Sequence, residues 1–342
     1  TIRPVLDSVR LRSGARRRMA AGLGLMLLLV GAVAGPAAAD GAEPSRFVAE
    51  TQRVRPETTG TRFAIVGNDT FVQITASAGV EVLVPGYDDE PYLRIRPDGR
   101  VEVNRRSPAY WLNQSSRGAS TLPPTANSSA PPVWAPTGSL RTASWHDHRI
   151  HWMAPDDPKV APGAIVGEWS IPFTVNGTLV TAEGRLRYLG PTVSVVQLIA
   201  LLATTLTVGA LAFRWTHRAT GQLAGLFGAS MLAIALAWCA FRASPPTAGA
   251  SLVPVLVPVA ALLLTALAPA LPRLPLRLAE AAALLGWAIV RSDVLWSPAV
   301  PSTLPGATDR FGTAVVLGVA AGIAVRLLRP AAASDDRVPA DG

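Results

Sequence analysis

Apolar residues follow two different rhythms along this chain. From residue 46 to residue 189 they alternate with polar ones in short runs rich in β-branched side chains, at 63–66, 70–75, 80–84, 92–95 and 101–103. A period of two marks a strand with one buried face, because successive side chains point to opposite sides of a sheet. Pro97-Asp98-Gly99-Arg100 predicts a tight turn between two of these runs, since glycine after aspartate supplies a positive φ without steric cost. Asn176-Gly177, between runs at 169–175 and 179–188, predicts a two-residue hairpin. Short strands with turn signals at this spacing predict an all-β, antiparallel sandwich-like domain. The stretch 114–136, rich in Ser, Pro, Ala, Thr and Gly, reads as a long exposed loop within it.

Beyond residue 190 the rhythm changes to nearly continuous apolar runs at 192–213, 223–241, 250–271, 278–296 and 311–328. Each is near the roughly 20 residues that a helix needs to cross hydrocarbon, which predicts an α-helical transmembrane bundle of about five helices. Arg214, His217 and Arg218 follow the first run, Arg273 and Arg277 lie at the junction of the third and fourth, and Arg326 and Arg329 close the fifth. These are alternate boundaries, so the positive-inside rule assigns all three to the cytoplasmic side and the β-domain to the outside. The fourth run carries Glu280 near its start and Arg291 and Asp293 near its end, close enough to the interfaces for these side chains to snorkel. At the amino end, Arg16-Arg17-Arg18, the apolar stretch 23–33 and Ala37-Ala38-Ala39 form the three parts of a secretory signal peptide, with Asp40 as the expected mature start. The expected organisation is a signal peptide at 1–39, an extracytoplasmic β-domain at 40–190, transmembrane helices at 191–329 and a cytoplasmic tail at 330–342. That is a multi-pass protein of the cell membrane, with the lipid bilayer as its first partner.

The formal charge of +8 does not alter this picture. Six arginines against Asp7 in the first eighteen residues carry most of it, whereas residues 40–190 hold 15 basic and 16 acidic side chains. The basic excess is a topology signal and not a polyanion-binding face, so nucleic acid is not an expected partner. The single cysteine, Cys239, falls in an apolar run, which leaves no intramolecular disulfide to staple the β-domain. About 150 residues can bury enough surface to fold without one.

Candidate chemistry concentrates in one place. Three of the four histidines lie within Trp145-His146-Asp147-His148-Arg149-Ile150-His151-Trp152-Met153. Imidazole is a common ligand for zinc and copper, and a thioether favours copper, so His146, His148, His151 and Met153 are the candidate metal ligands. In a regular strand His146 and His148 would share one face while His151 and Met153 took the other, and a turn at 147–149 would be needed to gather them. The plainer reading is a hydrogen-bonded, charge-paired surface on a tryptophan-rich strand. Catalysis has little support: Ser144 and Asp147 are near the histidines in sequence, but a triad is defined by geometry, and the chain holds no G-x-S-x-G, H-E-x-x-H, P-loop or dinucleotide fingerprint. Asp88-Asp89-Glu90 reads as a solvated acidic turn, lacking the spaced ligands of a calcium loop, and Ser107-Pro108-Ala109-Tyr110-Trp111-Leu112-Asn113 as an extended aromatic segment packed in the core.

Pro91-Tyr92-Leu93-Arg94, the 107–113 segment and the 145–153 segment resemble those of uncharacterised actinobacterial membrane proteins with a secreted β-domain, over about a third of the chain. That resemblance implies the layout already derived and no activity. A β-domain ahead of several helices is also similar in layout to fused copper-resistance proteins, although no histidine lies near Asp40, where those domains bind metal. Two functions follow as expectations. One is a membrane-anchored extracytoplasmic binding domain that takes copper or zinc. The other is a structural or interaction protein of the cell envelope, with an envelope or membrane protein as partner and neither metal nor catalysis. Gly221 with Gly225 and Gly318 with Gly322, each pair four residues apart, motivate the second.

Overall fold

The computed structural model of the chain describes residues 41–114, 121–245, 251–267 and 273–329. The expected signal peptide and the tail at 330–342 lie outside the described residues.

A β-rich region comes first. Seven strands form one antiparallel sheet in the order β1 (Phe47–Arg55), β10 (Thr178–Tyr188), β9 (Ile165–Val175), β4 (Val82–Pro85), β5 (Pro91–Ile95), β6 (Arg100–Asn104), β7 (Trp134–Leu140). Three more, in the order β2 (Thr61–Val66), β3 (Phe71–Ala76), β8 (Thr142–His146), form a second antiparallel sheet. Inward positions of both sheets, among them Ile74, Val84, Ile95, Ile171 and Phe173, close one core. The β9–β10 hairpin turns at Asn176-Gly177 with φ of +49° and +80°, the doubly positive geometry that matches the twist of the flanking strands. Gly99, with φ +88°, makes the expected turn between β5 and β6.

Two segments depart from the sequence reading. Residues 134–140, with 134–136 expected at the end of a long loop, form the edge strand β7, paired with β6 through a register shift between Arg100 and Glu102. The alternation that announces a strand is missing because β7 covers little, and its Leu140 is exposed. The 107–113 segment is not extended: Pro108–Leu112 is a short helix, α1, with its proline at the first helical position, where a missing N–H is harmless. Glu90 explains the helix. Far from being solvated, it is buried, and its carboxylate accepts from Ser107 Oγ, Ala109 N and Asp88 N, which places a negative charge on the helix start.

Helices follow: α2 (Val195–Trp215), α3 (Ala219–Arg242), α4 (Val253–Leu267), α5 (Arg273–Val290), α6 (Asp293–Trp296) and α7 (Gly306–Leu328). α2, α3 and α7 are long and apolar enough to cross a membrane, and α4 is a shorter apolar helix containing Pro258. Leu226, Leu236, Leu284, Ala320 and Ile323 close a second core among α3, α5 and α7. Three ionisable side chains here are matched from neighbouring helices and not left to reach outward: within α5, Arg277 donates to Gln222 (2.8 Å) and Glu280 accepts from Ser230 and Thr265, and just past its end Arg291 forms a bidentate pair with Asp309 (2.7 and 2.9 Å).

The two parts are joined by backbone. Ser45 and Ala299 exchange hydrogen bonds of 2.9 and 3.0 Å, and Val193 N donates to Trp296 O (2.9 Å). The end of α6 and the segment between α6 and α7 therefore contact the ends of the β-region at residues 45 and 193.

Candidate functional site

The histidine-rich segment is half strand and half turn. β8 runs beside β3 with Phe71 opposite His146, Val72 opposite Trp145 and Gln73 opposite Ser144. It stops where Asp147 caps a single 3-10 turn, His148–Ile150, by accepting from Arg149 N (3.1 Å). Aspartate is suited to this, since its short side chain bonds a backbone N–H two residues ahead. Asp147 is completely buried and also accepts from Trp145 Nε1 (2.9 Å) and from Arg149 Nε and a terminal guanidinium nitrogen (2.8 and 2.6 Å). A carboxylate this deep is tolerable only with its charge paired and its lone pairs used. Burial is the largest single influence on the Arg149 pKa and lowers it, but the hydrogen bond to Asp147 and the charge of that carboxylate together outweigh it, and the net shift is upward.

Around this knot the four candidate ligands part company. The turn brings His151 back to the side of His146, and the two rings lie 6.2 Å apart, tilted by 33°. His146 is buried, with its ring 4.3 Å from that of Phe71. His148 goes the other way, stacking on Tyr87 at 5.9 Å while its backbone N–H donates to the Tyr87 hydroxyl (3.0 Å). Met153, beyond the turn, is 49% exposed. A regular strand would have paired His146 with His148, and the turn pairs His146 with His151 instead.

A residue that the pattern of histidines did not reveal completes the arrangement. Asp69, buried in the turn before β3, places Oδ2 3.4 Å from His151 Nδ1. His151 Nε2 is buried without a hydrogen-bond partner. A carboxylate at Nδ1 fixes the tautomer that carries its proton there and leaves Nε2 as a lone-pair donor, which is how ligating histidines are commonly oriented. The only signal for Asp69 in the sequence is the turn Gly67-Asn68-Asp69-Thr70, where Asn68 takes φ +70°. Among the described residues no group of three or more His, Cys, Asp or Glu side chains is gathered to hold a metal ion. The arrangement offers two imidazoles and an orienting carboxylate, so further ligands to an ion would come from solvent or a bound molecule.

Tyr87 links this site to its surroundings. Its hydroxyl donates to Asn113 Oδ1 (2.6 Å) as it accepts from His148 N, and the Arg149 guanidinium lies 5.3 Å from its ring centre. Burial raises the pKa of Tyr87, with the Asp147 charge adding to it, so the hydroxyl is a fixed donor at neutral pH. No family model matches the chain, and comparison with curated proteins and with solved structures finds none similar to it.

Proposed function

We propose that this chain is a membrane-anchored binding protein that displays its β-domain outside the cell membrane on five transmembrane helices and takes a transition-metal ion, copper or zinc, between His146 and His151. The observation that carries the reading is the His146–His151 pair itself, with the Asp69 carboxylate at Nδ1 of His151 and the Nε2 of that ring buried without a partner. Ring centres 6.2 Å apart can share one ion bonded to a nitrogen of each ring at about 2 Å if the two nitrogens stand almost opposite each other, and a tetrahedral ion would need the rings to close by about 1 Å. Neutral imidazoles favour zinc and copper over hard cations such as magnesium. His148 and Met153, expected as ligands, have no place in this two-histidine arrangement. The topology rests on the arginines at alternate helix boundaries.

Copper and zinc titrations of the full chain in lipid nanodiscs test the proposal. His146→Ala and His151→Ala should each abolish binding tighter than micromolar, and Asp69→Asn should weaken it by about 10- to 100-fold as an orienting partner does. His148→Ala and Met153→Ala should leave it within about twofold. Affinity that stays weaker than micromolar in the wild type, or that is unchanged in both His146→Ala and His151→Ala, would overturn the metal reading and leave the structural envelope protein as the better account.

A further inference from the structure

Beside the histidine pair, and sharing His146 with it, a cleft of about 170 Å³ opens where the edge of the small sheet at β8 meets β5 and β6 of the large one. Phe71, Tyr92, Trp145 and Tyr110 give it aromatic walls. Asn113, Ser144 and His146 are among the polar groups that face it, and none of the described residues lining it is charged.

That lining selects a class of ligand by exclusion. Among the described residues a charged molecule would find no counter-charge to replace the water it loses. A purely apolar one would cover amide, hydroxyl and imidazole groups without returning their hydrogen bonds, at a cost comparable to what its own burial gains. Size narrows the choice further: the cleft is little larger than the roughly 150 Å³ that encloses a benzene ring, so a hexose, about twice that size, would seat one face there and leave the rest in solvent through the open side. What fits is one neutral six-membered ring with an apolar face for the aromatic walls and hydroxyl groups around its edge. We propose that the cleft binds a neutral monosaccharide, as a free sugar or as the end unit of a glycan.

The polar groups are held ready for such a ligand. Asn113 is fixed by the Tyr87 hydroxyl (2.6 Å), and Tyr87 is fixed in turn by the backbone of the Asp147-capped turn. Ser144 Oγ accepts from Gln73 Nε2 (3.1 Å), which leaves its own hydrogen to donate. Groups immobilised beforehand lose little freedom on binding, which raises affinity for a ligand that matches them.

The test uses the full chain in nanodiscs, free of glycoside detergents, with saturation-transfer NMR and calorimetry. Glucose, galactose, mannose and N-acetylglucosamine are the neutral probes, and glucosamine and glucuronate are the charged ones. At least one neutral sugar should bind saturably below about 10 mM, with the charged probes at least roughly tenfold weaker. Tyr110→Ala and Ser144→Ala, on the cleft but outside the metal pair, should each weaken the sugar about tenfold and leave metal affinity unchanged. His151→Ala should do the reverse, so failure of the sugar and failure of the metal are read separately. Should Tyr110→Ala misfold, Ser144→Ala carries the comparison. The absence of saturable binding by any neutral probe, equal binding of the charged probes, or indifference to both cleft variants would overturn the proposal.

Discussion

Asp147 is the residue on which the local arrangement turns, because one carboxylate ends β8, caps the 3-10 turn and neutralises Arg149. Replacing it with alanine leaves the indole N–H of Trp145 and a mostly buried guanidinium without an acceptor. The expected loss is about 3 kcal/mol, the low end for a broken buried pair because Arg149 keeps some contact with water. Asp147→Asn retains an acceptor and should lose less. Chemical denaturation followed by tryptophan fluorescence in nanodiscs measures both, and an Asp147→Ala variant as stable as the wild type would remove Asp147 from this role. Little of this was legible beforehand. The clustering of histidines identifies the segment, but which of them meet depends on a turn whose cap is an aspartate that the sequence also allows to sit on the surface. Asp69 and Glu90 illustrate the same limit: both are buried carboxylates with specific partners, and nothing in their immediate neighbours distinguishes them from the exposed Asp88 and Asp89.

At the scale of elements, period and turn chemistry read the β-region well wherever a strand has one buried face and a glycine turn at its end, as with β5, β6, β9 and β10. They fail at β7, an edge strand that buries little, and at α1, whose helical state depends on Glu90 from another turn. Among the helices, the small-residue spacing seen at Gly318 and Gly322 has its use inside the chain. A Cβ at Gly318 would lie 2.6 Å from the Thr205 carbonyl oxygen, and one at Gly322 would lie 2.2 Å from that of Gly209, so α2 and α7 approach backbone to backbone there. Gly225 likewise faces Ile323 of α7. These glycines therefore give no support to a surface for another membrane protein. Gly318→Leu should force α2 from α7 and cost about 1–3 kcal/mol or more, read as a lowered melting temperature in nanodiscs. Gly228→Leu is the control, since nothing lies within 4 Å of the added Cβ. Equal melting temperatures for the two variants would mean that the α2–α7 contact does not need its glycines.

For the whole molecule, the question is whether the β-region rides loosely on the helices or is set at a fixed angle. Backbone hydrogen bonds join the two parts, Ser45 with Ala299 and Val193 with Trp296, and Ala42 N donates to Ser244 Oγ (2.9 Å) beside them. Arg310, buried at the start of α7, holds the intervening segment by donating to the carbonyls of Ser297 and Pro298 at 2.6 Å each, which also satisfies acceptors that a proline-rich stretch cannot pair within itself. Burial and the loss of its usual counter-ion geometry are affordable there because the guanidinium fork meets two carbonyls at once. The wild-type segment between α6 and α7 should then resist proteinase K in nanodiscs, where both faces of the membrane are open to the protease. Arg310→Ala should release it and allow cleavage between Ser297 and Pro305 while the β-region keeps its tryptophan fluorescence, since no part of the sandwich core touches Arg310 through these bonds. Ready cleavage of the wild-type segment with the β-region still folded would show a tether, and the proposed metal and sugar sites would then have no fixed orientation relative to the helices.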